Sequence, residues 1–250
     1  VINLDRSTER WAAIAKQFEA WSLRSVPVER FPAVDGTDSA QLAPYTSLVS
    51  QRRAKLVKAR PLTPTQIGCY ASHYEAWQRC LEADEPIIIM EDDALIDMGQ
   101  LERFITASMR FPHWLDCVRL STNRTKKAKF SRVYEVSGFT VMRFTKAHMT
   151  TVGYYISPAG ARKLLAKSYP WHLPVDLYMG EFWRHGVQCF GIDPTALEPN
   201  RELNTTRIMR SRKPINFCCA LSKVIFSGAR GIRRTAYNLT WEGPFLRFPD

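Results

Sequence analysis

One stretch of the sequence constrains the fold more than any other: the apolar run Pro86-Ile87-Ile88-Ile89-Met90, which ends in Glu91-Asp92-Asp93. An unbroken apolar run of strand length is typical of a strand buried on both faces, as in a parallel sheet. Open α/β sheets bind their ligands outside the carboxyl ends of the strands, where these acids would lie. The alternative is a solvated acidic loop. The first interpretation predicts a binding site at this edge.

The adjacent carboxylates also indicate a type of ligand. Negative side chains gathered at a sheet edge repel one another and lose solvation, so a divalent cation is their natural neutralising partner. A cation held there can in turn hold a diphosphate. The pattern therefore favours a nucleotide bound through a metal.

Length and composition favour one large α/β domain. The chain has 250 residues, of which 45% are apolar and 24% charged, values that are ordinary for a globular protein. The net charge of +11 is not ordinary. Basic residues cluster between Arg52 and Arg60 and between Arg207 and Arg234, the second span having eight of them and no acid. Such clusters suit phosphates on a nucleotide, a nucleic acid or an anionic membrane.

Cysteine usage and hydropathy favour a cytoplasmic protein. The six cysteines form no C-x-x-C pair and show no zinc-like spacing with histidine, so reduced thiols are the simplest interpretation. Nothing resembles a signal peptide, and no apolar run approaches the roughly 18 residues that cross a bilayer. The N-x-T sequons at Asn123, Asn204 and Asn238 are therefore interpreted as chance.

The first part of the chain predicts a βα unit. Val1–Leu4 is strand-like, and apolar residues from Trp11 to Trp21 recur at helical spacing. A second strand is predicted over Val26–Phe31. Residues 37–61 are irregular and basic, and we expect them to form a loop.

A long helix is predicted to begin at Thr63-Pro64-Thr65-Gln66, a capping box with proline at the first helical position. Its buried stripe runs from Ile67 to Leu81. His73 lies at the margin of this stripe. Two interpretations of it remain open: a residue that contacts a ligand, and a core histidine whose hydrogen bonds are made within the protein.

The remaining elements are predicted more coarsely. A helix is expected around residues 101–108 and another after Ser157-Pro158. Residues 215–232 combine apolar and basic side chains, which is compatible with a helix on an anionic membrane or with a terminal helix packed on the domain. The expected strands are 116–120, 150–156 and 187–192, and residues 133–144 are expected to form one or two extended segments around Ser137-Gly138.

Several short blocks occur in a fixed order over roughly residues 1–210, and although each is weak, the series is specific. The blocks are Val1-Ile2-Asn3-Leu4-Asp5-Arg6, Phe31-Pro32-Ala33-Val34-Asp35-Gly36, Leu62-Thr63-Pro64 with Ile67-Gly68-Cys69 and Ser72-His73, Ile89-Met90-Glu91-Asp92-Asp93, and Gly153-Tyr154-Tyr155-Ile156-Ser157 followed by Pro174-Val175-Asp176. In this series the sequence resembles glycosyltransferase family 25, the group that contains bacterial lipooligosaccharide galactosyltransferases and relatives of collagen galactosyltransferase.

The resemblance implies a GT-A-like single domain over residues 1–210, with a mostly parallel nucleotide-binding sheet flanked by helices. A basic C-terminal extension, residues 211–250, lies outside the resemblance. The family pattern implies a D-x-D-type motif holding Mn²⁺ or Mg²⁺ against the donor diphosphate, with Asp93 as a direct ligand and Glu91 or Asp92 acting directly or through water. The donor-binding residues implied in this way are Asn3, Asp5, Arg6, Asp35, Ser72, His73 and Asp92.

Transfer also needs a base for the acceptor hydroxyl, and Asp176 is the candidate because the extended Pro174-Val175 segment can present it opposite the metal. The alternative for Asp176 is a helix N-cap before Leu177. Trp171, Tyr178 and Trp183 are candidates for an aromatic platform under the acceptor, although burial in the core is the commoner fate of such residues.

Three hypotheses follow. The first is a metal-dependent, inverting transferase that moves galactose from UDP-galactose to a terminal sugar of a lipooligosaccharide acceptor, on the inner face of the bacterial inner membrane and attached peripherally through its basic C-terminal region. The second is a metal-dependent nuclease or nucleic-acid-binding protein, which explains the charge but not the ordered blocks, so no nucleic acid is expected as a partner. The third is a non-catalytic, glycan-binding relative.

Overall fold

The apolar run before the acidic residues forms an outer strand of a central six-stranded sheet. The structure is a computed structural model and describes residues 1–23, 25–121, 130–147, 150–200 and 217–243. The strands within these ranges are β1 (Ile2–Asn3), β2 (Phe31–Pro32), β3 (Ile87–Met90), β4 (Ala94–Ile96), β5 (Cys117–Arg119), β6 (Phe130–Val136), β7 (Phe139–Phe144), β8 (Gly153–Ile156), β9 (Phe190–Asp193) and β10 (Leu197–Pro199).

The central sheet has the strand order β3-β8-β5-β9-β7-β6. Only β5 and β9 run parallel in it, and the other four neighbouring pairs are antiparallel. The prediction of a mostly parallel sheet is therefore wrong. The reason is that a continuous apolar run indicates burial on both faces, which β3 and β8 share, and carries no information on the direction of the neighbouring strand.

A short parallel pair extends the sheet beyond β3. β1 pairs with β2, and Ile2 forms a parallel bridge with Glu91. The carboxyl ends of β1 and β3 therefore lie side by side, as the sequence predicted for the acidic residues. β10, which was not predicted, pairs antiparallel with β4.

Helices cover both faces of the sheet. They are α1 (Thr8–Gln17), α2 (Ser39–Leu42), α3 (Gln51–Lys58), α4 (Pro64–Ala83), α5 (Met98–Ser108), α6 (Pro158–Ser168), α7 (Val175–Met179), α8 (Phe182–His185) and α9 (Phe217–Leu239), with 3-10 turns at Phe18–Ala20 and Ala43–Leu48. The capping box at the start of α4 is confirmed, since Thr63 and Gln66 accept hydrogen bonds from each other's backbone N–H groups.

The prediction of a loop over residues 37–61 is wrong, because α2, a 3-10 turn and α3 follow one another there. Ser50 caps α3 by accepting a hydrogen bond from Arg53 N (3.3 Å), and Ala54 is fully buried. The second predicted strand shortens to Phe31–Pro32. In both segments short elements are stabilised by packing rather than by a long apolar pattern.

Alternate residues of β8 point into two core clusters. Tyr154 and Ile156 pack with α4, α6 and α7, whereas Tyr155 packs on the other face with α5. Because β8 is buried on both faces, it fixes the distance between the helical layers. The acidic residues follow the strand next to it, β3, so these groups extend from the buried centre of the domain.

The C-terminal helix α9 packs against α3 and α8, which agrees with the prediction of a terminal helix on the domain. The predicted boundary between residues 210 and 211 lies outside the described residues, as do Asn123 and Asn204. None of the helices in the described ranges has the length and apolar content that a membrane span requires.

Candidate active site

The acidic residues lie where β1, β3 and β8 converge. Glu91 N donates to Val152 O (2.8 Å), which continues the pairing of β3 with the chain before β8. Asp92 and Asp93 then form a turn that leads directly into β4. The backbone therefore sends three consecutive carboxylates in different directions, and each has a different environment.

Glu91 is held in place by contacts with His73 and Thr151. Its Oε1 lies 3.3 Å from His73 Nε2 and accepts a hydrogen bond from Thr151 Oγ1. Burial alone would raise the pKa of Glu91, but these two contacts, together with the charge of Arg119, hold it below its ordinary value. Glu91 is therefore an ionised carboxylate in a fixed orientation.

His73 is itself oriented by a buried chain of hydrogen bonds. Its Nδ1 lies 2.9 Å from the hydroxyl of Tyr154, and Trp77 Nε1 donates to the same hydroxyl at 2.9 Å. All three side chains are almost completely buried. Of the two interpretations of His73, the satisfied core histidine matches the structure, and its contact with Glu91 makes it a positioning residue.

Asp92 is neutralised within the protein. Asn3 Nδ2 donates to its Oδ2 at 2.7 Å, and Arg10 Nη1 donates to its Oδ1 at 3.2 Å. Asn3 is buried, and its Oδ1 accepts a hydrogen bond from Arg30 Nε at 2.9 Å. Both the nitrogen and the oxygen of the Asn3 side-chain amide therefore bond to other protein groups. Asn3 holds Asp92 in position and does not have a free group for a sugar nucleotide.

Asp93 differs from its two neighbours. Its Oδ1 is buried and has no hydrogen-bond partner in the described part of the chain. Burial, together with the charges of Glu91 and Asp92, raises its pKa to about 6. An orphaned carboxylate oxygen beside two further carboxylates is a suitable ligand for Mn²⁺ or Mg²⁺, both of which prefer oxygen. The residues present therefore fit a divalent cation.

A second donor set borders the first. Cys69 Sγ, a ring nitrogen of His73 and a carboxylate oxygen of Glu91 lie within 4.8 Å of one another. Cys69 and His73 are one helical turn apart on α4, which places both side chains over the end of β3. The charges of Glu91, Asp93 and Asp176 all act on the Cys69 thiol. Cys69 and His73 from α4 and Glu91 from the end of β3 thus surround one small volume, and Asp93 and Asp176 lie close enough for their charges to raise the pKa of the Cys69 thiol.

Asp176 reaches this volume from the first turn of α7. The helix begins at Val175 with Pro174 as its N-cap residue, so the alternative interpretation of Asp176 as an N-cap is wrong. Burial raises the pKa of Asp176, whereas the Leu177 N–H and the charge of Lys58 oppose this effect. The charge of Glu91 also raises the pKa of Asp176.

The loops after β1 and β2 carry an ion pair at the rim. Arg6 binds Asp35 through two hydrogen bonds, from Nε at 2.6 Å and from Nη2 at 3.2 Å. Burial of Asp35 is outweighed by hydrogen bonds from Thr37 and Arg6, which lower its pKa. Asp5 is exposed and lies 3.6 Å from Arg30. Arg6, Asp35 and Asp5 therefore remain accessible at one edge of the acidic cluster.

Ser72 has no exposed surface for a ligand. It is 1% exposed, accepts a hydrogen bond from Val34 N and donates one to Gly68 O, each at 2.9 Å. The prediction that Ser72 lines a donor pocket is corrected for this reason. Its hydroxyl joins α4 to the loop after β2, and so holds Asp35 beside the site.

The predicted aromatic platform is also corrected. Trp171 and Tyr178 are each 1% exposed, and Trp171 stacks on Tyr70 with 4.2 Å between ring centroids. Trp183 is partly buried against Phe182 in a separate cluster. The two buried rings belong to the core, as the alternative interpretation had it.

Sequence reasoning missed three residues that shape the site. Arg10 lies in the first turn of α1, four positions after Arg6, and its closeness in sequence to the β1 loop is a signal that the sequence contains. Thr151 and Arg119 contact or influence Glu91 only because β8 and β5 pair near β3, and the sequence offers no comparable signal. Arg119 is buried, with its guanidinium 4.9 Å from the ring centroid of Tyr154.

The part of the chain that carries these residues is similar to known proteins. Residues 1–179 match the model of glycosyltransferase family 25 (LPS biosynthesis protein). A glycosyltransferase 25 family member of Anopheles gambiae is 30% identical over 192 residues, which cover 72% of this chain and 30% of that protein. The lipooligosaccharide biosynthesis protein lic2B of Haemophilus influenzae is 28% identical over 177 residues, covering 66% of this chain and 61% of that protein.

A further relative bears on activity. The human protein named inactive glycosyltransferase 25 family member 3 is 28% identical over 159 residues, which cover 56% of this chain and 26% of that protein. The chain thus spans less than two thirds of each of these relatives. The family match covers the β1 loop, the α4 cap, the acidic edge and Asp176, and with these residues in one place the chain belongs to glycosyltransferase family 25.

Proposed function

We propose that this protein is a metal-dependent, inverting glycosyltransferase with a GT-A-like fold. It transfers a hexose, galactose from UDP-galactose, to a terminal sugar of a lipooligosaccharide-type acceptor, giving a β-linked product. The single observation that carries the proposal is that Asp93 Oδ1, beside Glu91 and Asp92 at the end of β3, is buried without a hydrogen-bond partner in the described part of the chain.

The acidic edge has the chemistry of a diphosphate site. A divalent cation bound by Asp93 and Glu91 would supply positive charge to the leaving nucleoside diphosphate. His73 and Thr151 hold Glu91 in one orientation, in which it can bind the cation. Asn3 and Arg10 hold Asp92 by its two carboxylate oxygens. The protein therefore provides a preorganised site that needs little rearrangement on binding.

The donor nucleotide is assigned to the edge formed by Asp5, Arg6 and Asp35. These residues follow β1 and β2, whose carboxyl ends lie beside that of β3, and they are accessible. A guanidinium that is already held by a carboxylate presents its remaining N–H donors in a fixed plane. Arg6 is accordingly the residue assigned to the phosphate or ribose of the donor.

Asp176 is assigned as the base that takes the proton of the acceptor hydroxyl. Burial raises its pKa and makes it a stronger base, while the Leu177 N–H, Lys58 and Arg119 favour its ionised form. With the donor on the β1 side and Asp176 on the α7 side, attack and departure take place on opposite faces of the sugar. A single displacement of this kind inverts the anomeric centre.

The test is donor hydrolysis and transfer across a panel of UDP-sugars with and without MnCl₂. We expect turnover with one UDP-hexose that requires the metal, and Asp176→Asn is expected to lower kcat about 10²- to 10⁴-fold with little change in the KM for the donor. Glu135→Gln, which removes an exposed carboxylate on β6, is the matched control and should keep full activity.

Two outcomes would contradict the proposal. Undiminished turnover by the Asp176→Asn variant would remove the assignment of the base. Thermal stabilisation by UDP and Mn²⁺ without turnover of any sugar would instead favour a non-catalytic, glycan-binding protein. The human relative that is named inactive is the reason for testing this outcome.

A further inference from the structure

The C-terminal helix α9 binds the domain through one face. Arg230 forms an ion pair with Glu181 at 2.7 Å, and the ring of Tyr237 lies 5.4 Å from that of Phe182. Near the end of the helix, Asn238 accepts a hydrogen bond from Arg143 at 2.6 Å. These contacts fix the rotation of the helix about its axis and so decide which side faces solvent.

The opposite face carries a stripe of exposed apolar side chains. Leu221, Ile225, Ile232 and Leu239 are between 52% and 82% exposed. Their spacing of four, seven and seven residues keeps them on one side of a helix. Because each residue turns an α-helix by about 100°, Arg230 lies roughly 200° away from Ile232, on the docked side. The stripe, defined by these four residues, therefore points away from the domain.

The charge of the helix restricts what can cover this apolar stripe. α9 has four basic residues and no acid, and among them Lys223 and Arg233 are exposed. α3, which packs beside α9, adds the exposed Arg52, Arg53 and Lys55. A second copy of this chain would bring the same positive charges together, which disfavours a dimer through the stripe. An anionic lipid surface complements both the charge and the apolar face.

We propose that α9 is an amphipathic membrane anchor, which lies in the plane of an anionic bilayer with its apolar stripe in the acyl boundary and its basic residues among the lipid headgroups. Arg233 lies about 100° from Ile232, on a flank of the helix from which a long basic side chain reaches the headgroup level. The basic residues of α3 extend the same contact.

The anchor also deepens the proposed function, on which this step rests. α3 connects the lipid-facing surface with the candidate active site, because Ser50, the N-cap residue of α3, donates a hydrogen bond from its backbone N to Trp171 O (2.8 Å), a few residues before Asp176. An acceptor sugar carried on a lipid in the same bilayer would approach Asp176 from the α3 side. The enzyme would then meet its acceptor in two dimensions, whereas the donor reaches the β1 edge from solution.

The test is co-sedimentation with two kinds of vesicle, phosphatidylcholine alone and an equal mixture of phosphatidylcholine and phosphatidylglycerol, at low and high salt without any donor. We expect binding to the anionic vesicles that weakens as salt rises. The variant Ile225→Ser/Ile232→Ser is expected to bind more than tenfold more weakly. The variant Arg233→Gln should bind about fivefold more weakly, and only at low salt.

Matched controls come from the end of α5. Met109→Ser removes a side chain that is 77% exposed, and Arg110→Gln removes an exposed charge. Both should bind vesicles as the wild type does. All variants change exposed side chains, so an unchanged thermal transition confirms that folding is intact.

Three results would overturn the anchor: equal binding to neutral and anionic vesicles, unchanged binding by the Ile225→Ser/Ile232→Ser variant, or a dimer in sedimentation that this variant converts to a monomer. The test is separable from that of the transferase. Vesicle binding needs no donor, so intact binding without sugar turnover would count against the proposed function alone. Loss of binding with intact donor hydrolysis in solution would count against the anchor alone.

Discussion

Replacing Asp93 by asparagine tests the acidic edge most directly, because the structure predicts that removing this charge stabilises the metal-free protein. The pKa of Asp93 is raised from 3.8 to about 6, with burial as the largest cause. At 1.36 kcal/mol per pKa unit, the ionised form costs about 3 kcal/mol of folding free energy. Asparagine has a similar shape and carries no charge, so it avoids this cost.

The sign of the pH dependence follows from the direction of the shift. Since the folded pKa lies above the unfolded one, the cost is absent below about pH 3.8, grows as the pH rises through about 6 and is complete above it. Asp93→Asn should therefore exceed the wild type by about 3 kcal/mol near pH 8 and by about half of that near pH 5. For a chain of this size the first difference corresponds to roughly 6 to 12 °C in Tm.

The assay is calorimetric unfolding of both proteins near pH 8 and near pH 5, with and without MnCl₂. Mn²⁺ should raise the Tm of the wild type and leave that of Asp93→Asn unchanged. Asp92→Asn is the control: it disturbs the bonds from Asn3 and Arg10 and should lower stability by about 1 to 3 kcal/mol at both values. An Asp93→Asn variant that melts no higher than the wild type near pH 8 would refute the reasoning.

Three further predictions concern packing around the site. Gly68→Ala would place its Cβ 2.6 Å from a backbone oxygen of the loop after β2 and should cost about 1 to 3 kcal/mol, whereas Gly231→Ala, in open space on α9, should gain about 1 kcal/mol; denaturant unfolding of the pair checks both signs. Tyr154→Phe leaves two buried ring nitrogens without their partner and should cost about 2 to 4 kcal/mol in the same measurement, and an unchanged midpoint would contradict the hydrogen-bond chain. Glu181→Gln weakens the tie to Arg230 and should speed limited proteolysis at α9, so equal cleavage rates would show that other contacts hold the helix.

Those parts of the fold that depend on neighbours in sequence could be predicted. Thr63 and Gln66 form the cap that starts α4, and Ser157 caps α6. In each case the residues that interact are no more than three or four positions apart in the sequence. Of the one or two extended segments predicted around Ser137-Gly138, the structure has two, β6 and β7. The burial of β3 and the acidic residues after it could be predicted for the same reason, since the pattern is continuous along one strand.

The partners that different segments find in space could not be predicted. An apolar run such as β3 pairs equally well with a parallel or an antiparallel neighbour, and only the path of the whole chain placed β8 beside it in the antiparallel direction. The helix α3 has a weak apolar pattern, but packing against α9 stabilises it.

The same distinction applies to the acidic residues. The sequence alone established that three carboxylates follow a buried strand, because adjacency along the chain is all that this requires. Only the tertiary structure gave Glu91 its contact with Thr151, gave Asp92 its contacts with Asn3 and Arg10, and left Asp93 Oδ1 without a hydrogen-bond partner among the described residues. The physical reason is that a side chain's charge state depends on burial and on groups within a few ångströms, and residues far apart in sequence supply nearly all of these.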